Sequence, residues 1–287
     1  MKKRNTSNCQ QGSVKLLFEE AALECFSPAR ARVRKFKNWI EHADSARKTG
    51  NLHSFQNQYD NAEELITFYV FAPLILSSNK APLIDEILRL AEIKAHVDSI
   101  VNVSLERLLQ PPSGYLAWLQ GQVDNHPIRY IREQAQSHKN GNRPLETATR
   151  AGAFIETENL VILVEIKFTS DISVETPFNP CRNQLARLID AGIDVANAKG
   201  KKLVVFLSTP SGFFETKSRL YVYKIKDYSA LGEIQEDISW RTQKQIKANF
   251  LAVKWIPLED VIKTIYRDFT HPDKNEALTF FAERKLA

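Results

Sequence analysis

Glu165 and Lys167 follow directly on an apolar run, Leu160-Val161-Ile162-Leu163-Val164. Such a run, with no polar position, reads as a strand buried on both faces. Side chains at i and i+2 of a strand share a face, so the Glu165 carboxylate and the Lys167 ammonium point the same way. Two charges at the end of a buried strand are costly unless they pair, hold a metal ion or border a cleft. Metal-dependent phosphodiester hydrolysis uses that set of groups. A carboxylate holds a divalent cation against a phosphate oxygen, and an ammonium stabilises negative charge or orients the attacking water. Magnesium takes oxygen ligands and keeps several waters, so Glu165 and the backbone carbonyl of Ile166 would serve as donors. A Glu-x-Lys triplet is also an ordinary surface ion pair, and its context must decide.

That context is a change of pattern along the chain. Residues 1–112 read as a helical module. Val14, Leu17, Phe18, Ala21, Ala22 and Cys25 recur at helical spacing, Asn61, Glu63 and Glu64 open a second apolar stretch, and Pro111-Pro112 closes the series. No strand-like alternation is visible there. Gly114 to Lys139 predicts one or two further helices broken near Pro127, followed by a polar loop over Ser137 to Pro144. After it, Ala153-Phe154-Ile155 and Leu160 to Val164 predict a hairpin. A turn through Glu158-Asn159 would set Gly152 opposite Glu165, and cross-strand partners share a face. Pro180 to Ala198 predicts a helix and Leu203 to Leu207 a third apolar strand. Arg219 to Ile225 alternates as a half-buried strand would, and helical stretches follow around Ile238 to Ala248 and Leu258 to Phe269. The expectation is a mixed α/β unit over residues 113–287, built on hairpins and one crossover.

Composition bounds the function. The chain has 287 residues, 43% of them hydrophobic and 25% charged, with net charge +5. That balance excludes wholesale disorder and leans mildly toward polyanionic partners. The longest apolar run, Phe68 to Leu76, is interrupted by Pro73 and is far shorter than the roughly 20 residues that span a bilayer. With polar residues after Met-Lys-Lys-Arg, this predicts a cytoplasmic protein without membrane association. Cys9, Cys25 and Cys181 show no paired spacing, which argues against structural zinc or a disulfide framework. The six histidines have no ligand spacing, and no Gly-rich phosphate loop or nucleophile elbow is present. Arg30, Arg32, Arg34, Lys35 and Lys37 form a basic run in which Arg30, Arg34 and Lys37 share a helical face. That face suits phosphate contacts, and reads equally as a solvated surface.

A hairpin ending in Glu-x-Lys, then a helix, then another apolar strand resembles the PD-(D/E)xK nuclease superfamily, the restriction-endonuclease-like fold. The resemblance covers about residues 143–210. Arg182-Asn183-Gln184-Leu185-Ala186-Arg187 is similar to the Gln-bearing helix of many members. The resemblance implies a core sheet flanked by helices, Mg²⁺ or Mn²⁺ dependence, and cleavage of nucleic acid, DNA more often than RNA. It also implies catalytic roles for Glu165, Lys167 and Gln184. By analogy of fold, restriction, phage defence or repair in a prokaryote would be the setting, with a partner protein or a homodimer among the expected partners. One departure stands out. The family carries a metal-binding Asp on the strand before Glu-x-Lys, but no Asp occurs between Asn125 and Asp171, and the matching position is Gly152. Three readings follow, in this order: Gly stands where the active form has Asp; the protein is a pseudonuclease that binds nucleic acid as a binding or assembly subunit; another acid, Glu133 or Glu146, substitutes. Glu156 shares a face with position 152 but lies about 13 Å away at roughly 3.3 Å per residue, so it reads as a solvated turn residue.

Overall fold

The computed structural model describes residues 16–25, 34–42, 62–173, 178–215, 219–229 and 233–287. Its framework is a five-stranded sheet in the order β1-β2-β3-β4-β5, comprising Ile100–Leu109, Thr149–Thr157, Leu160–Ile166, Lys202–Thr209 and Phe250–Pro257. The first three strands form an antiparallel meander, and β3, β4 and β5 run parallel. The class is mixed α/β, with helices on both faces of the sheet and N-terminal helices as expected.

The β2–β3 hairpin has the expected register. Ala153 pairs with Val164 and Glu156 with Val161, so one step further sets Gly152 against Glu165. Both strands are buried along nearly their whole length. Parallel strands require a crossover, and β3 returns to β4 through the helix Gln184–Ala198. This helix presents Leu185, Leu188, Ile189 and Ile193 to the sheet at helical spacing. Gly192 lets it approach closely, because a Cβ there would stand 2.8 Å from Leu163 Cδ1 and 2.9 Å from Leu203 Cδ1. Asn183 caps its start by accepting from the Ala186 N–H.

The opposite face of the sheet is covered by the N- and C-terminal parts of the chain. Helices Glu19–Cys25, 34–42, Glu63–Leu76, Ala81–Leu90 and Leu258–Tyr266 share one core with Ala153, Ile155, Ile162 and Val164. Two helices, Ser113–Asp124 and Arg129–Asn140, are inserted between β1 and β2 over a small apolar cluster of their own. Their break falls at Pro127, as the sequence predicts.

Three expectations need correction. The stretch expected to be wholly helical, residues 1–112, contains β1, an edge strand hydrogen-bonded to β2. Arg219 to Ile225 does not form a strand. It lies mostly in the helix Leu220–Ser229, which buries Tyr221, Val222, Ile225 and Tyr228. There are two crossovers, because β4 also reaches β5 in parallel through further helices. Among the described residues no helix is long and apolar enough to cross a membrane.

Candidate active site

The carboxyl end of β3 opens into a cleft of about 220 Å³ lined by residues of five elements. β3 contributes Glu165 and Ile166, with Lys167 following it. β2 contributes Arg150 and Gly152, and β1 contributes Glu106. Glu63, Glu64 and Thr67 come from the first turns of the helix Glu63–Leu76, and Gln184 opens the crossover helix. Lys167 is the cation at its centre. Its Nζ lies 3.1 Å from Glu165 Oε1 and 3.4 Å from Glu63 Oε2. Gln184 Nε2 donates to Glu165 Oε1 at 2.7 Å.

Burial sets the electrostatics. It pushes the Glu165 carboxyl above the ordinary carboxylate range; Lys167 pulls it back, while Glu106 and Glu63 add to the upward push. For Lys167, burial alone would favour the neutral amine. The carboxylates of Glu165 and Glu63 outweigh it and hold the ammonium above the usual lysine value. The site therefore keeps a protonated lysine among acids, and gathers negative charge that a bound cation would offset.

The expected residues Glu165, Ile166, Lys167, Gln184 and position 152 meet in this one cleft. Gln184 holds the Glu165 carboxylate by a direct hydrogen bond, so its role here is to orient that group. Gly152 offers no ligand. A Cβ built on it would stand 3.0 Å from the Val164 carbonyl oxygen and 3.4 Å from Thr67 Cγ2, so a side chain there needs a shift of a few tenths of an ångström.

The acids considered as substitutes lie elsewhere. Glu133 pairs with Arg129 on an exposed helix face. Glu146 is buried against Arg182 and accepts from the Tyr115 hydroxyl at 2.9 Å. Glu156 is buried rather than solvated, and binds Lys199 at 2.9 Å and Lys201 at 2.7 Å. Arg241 is buried against Asp190.

Sequence reasoning missed Glu63 and Glu106. Glu63 looks like a helix-start acid, and it is one. Its Oε1 also accepts from the backbone N–H of Phe168 at 3.0 Å and the Ser170 hydroxyl at 2.7 Å, which pins the segment after Lys167. Glu106 lies on the unforeseen strand, between Leu105, paired with Ala153, and Arg107, paired with Ala151; this sets it beside Gly152. Its backbone is left-handed (φ 55°), and its side chain lies 3.3 Å from Arg150. The basic run is only partly seen. Arg30 and Arg32 lie outside the described residues, Arg34 is exposed, Lys35 pairs with Glu64 at 2.8 Å, and Lys37 pairs with Glu19 at 2.6 Å.

Glu165 and the Ile166 carbonyl are hard oxygen donors of the kind magnesium takes. Among the described residues, however, no three His, Cys, Asp or Glu side chains form a group that could hold a metal ion. The donor chemistry fits, and Gly152, set against Glu165, adds no side-chain ligand to it. A scan against family models, a search of curated proteins and a search of solved structures found no match to the chain.

Proposed function

We propose that this fold is that of a divalent-metal-dependent nuclease of the PD-(D/E)xK type acting on DNA, with activity absent or impaired in this chain because residue 152 is Gly. One observation carries the reading. The hairpin register brings Gly152 against Glu165 at the mouth of a polar cleft in which Lys167 and Gln184 also converge. Glu165 and the Ile166 carbonyl, with an Asp at 152, would hold Mg²⁺ or Mn²⁺, which supplies charge neutralisation at a phosphate oxygen. The chain's own groups have separate tasks. Gln184 fixes the Glu165 carboxylate, Lys167 offers a protonated amine to the developing negative charge, and Glu63 holds both Lys167 and the backbone that follows it.

The test is cleavage of plasmid and single-stranded DNA with Mg²⁺ or Mn²⁺ by this chain, by Gly152→Asp, and by Gly152→Asp with Lys167→Ala. Cleavage by the Asp form alone, abolished by Lys167→Ala, is the expected result. A folded Gly152→Asp protein that neither cuts nor binds nucleic acid would overturn the proposal. The incomplete ligand set specifically favours a second reading, a pseudonuclease that binds nucleic acid or serves in an assembly. It predicts DNA binding without a calorimetric Mg²⁺ or Mn²⁺ site in the Gly152 chain, and continued silence after Gly152→Asp.

A further inference from the structure

The two helices inserted between β1 and β2 sit at the same end of the sheet as the cleft, since β1 ends at Leu109 and β2 starts at Thr149. A second pocket of about 180 Å³ opens against them, lined by Leu116, Gln120, Lys139, Arg143, Pro144 and Leu145. Among the described residues neither Lys139 nor Arg143 has a salt-bridge partner, and both are exposed. Lys139 lies in the last turn of its helix, where the macrodipole favours a cation. Arg143 lies beyond the helix and answers no such need. The acids nearby in sequence are engaged: Glu133 with Arg129, and Glu146 with Arg182.

From this arrangement we propose that the pocket binds a nucleic-acid strand beside the cleavage site, with Lys139 and Arg143 each on a backbone phosphate and the apolar floor and Gln120 carboxamide under a base. The inference rests on the nuclease reading and adds a recognition element to it. Charge complementarity selects a polyanion, and the apolar floor with the Gln120 carboxamide, whose Nε2 already donates to Asp124 Oδ1 at 2.7 Å and whose oxygen can accept from a base amine, suits a base better than an acidic peptide. Chain continuity places the two sites close together. Arg143 and Arg150, on the rim of the cleft, are seven residues apart. Seven residues span at most about 25 Å, the axial length of roughly seven phosphates on one strand of a duplex. Arg187 steadies the connecting segment by donating to the Thr147 carbonyl at 3.0 Å.

The test titrates labelled single-stranded and duplex DNA against the full chain, a Lys139→Glu/Arg143→Glu variant, and a Lys94→Glu/Lys226→Glu variant with the same charge change at exposed positions away from the pocket. The pocket variant should bind at least about tenfold more weakly at about 50 mM salt, and its log–log salt slope should fall by roughly 1.4 to 1.8 for two lost phosphate contacts. The control should lose far less, and the two variants, each reversing a last-turn helix cation, should melt within a few degrees of each other and of the parent. Equal losses in both variants would overturn the pocket and leave the nuclease reading standing. A parent chain that binds neither DNA at that salt would overturn both. Polyglutamate displacing DNA as effectively as unlabelled DNA would reassign the pocket to an acidic protein and overturn the proposal.

Discussion

Asp190→Ala probes what fastens the crossover helix, and with it Gln184, to the start of β2. Asp190 is fully buried on that helix and receives Arg182 at 2.8 Å, the Trp240 indole N–H at 2.9 Å, and Arg241. Arg182 is itself buried, stacks on the Tyr115 ring, and reaches Glu146 just before β2. Without Asp190, Arg182 keeps only Glu146, and Arg241 keeps Asp194, which is 45% exposed and so better screened. Two buried guanidiniums then share less than one buried counter-charge each. Breaking a buried pair from one side costs about 3–5 kcal/mol. At about 2–4 °C per kcal/mol for a chain of this size, the melting temperature should fall by about 6–20 °C. Scanning calorimetry measures it. Asp190→Ala with Arg182→Met removes charge from both sides and should recover part of the loss, because the penalty lies in the uncompensated cation and not in the missing pair. An Asp190→Ala protein melting within about 2 °C of the parent, or a double variant clearly less stable than the single one, would refute the reasoning.

The remaining predictions are local. Glu158 accepts from the Asp98 and Ser99 backbone N–H groups and the Ser99 hydroxyl; although burial acts upward, these bonds hold its pKa down to about 2. Because the folded pKa is the lower one, its contribution is complete above the unfolded value, near 4.3, and is lost as pH falls toward 2. Glu158→Gln should flatten the acid limb of the stability–pH profile between those values, and an unchanged profile would show that the loop contact is inert. Gly192→Ala should destabilise by about 1–3 kcal/mol through overpacking against Leu163 and Leu203, read from urea midpoints at constant slope. Gln184→Ala in the Gly152→Asp background should lower the cleavage rate while leaving the fold intact by circular dichroism. Loss of folded protein would instead make Gln184 a structural residue.

The parts of this site that lie close in sequence were legible, and those joined only through space were not. Gly152, Glu165 and Lys167 share one hairpin whose turn and apolar strands fix the register, so their meeting follows from local pattern. Gln184 follows from the crossover. β1 escaped notice because it is an edge strand with Val101 and Leu108 exposed and with Glu106-Arg107 where alternation would show. In the helix Leu220–Ser229, the Tyr and Val residues suggested alternation, yet the buried set Tyr221, Val222, Ile225 and Tyr228 follows helical spacing. Glu63 carried a sufficient local explanation as a first-turn acid, which concealed its second partner across the fold.

The left-handed backbone at Glu106 has a consequence for how copies of this protein meet. β1 is an outer strand of the sheet, and a flat outer strand offers unpaired backbone groups that another chain can extend. One residue at φ 55° interrupts that row between Leu105 and Arg107, and a charge sits on each side of the irregular peptide, Glu106 and Arg107. An incoming strand would find only short regular stretches to match. The distortion that turns an acid toward the cleft thus also guards the sheet against edge-to-edge aggregation.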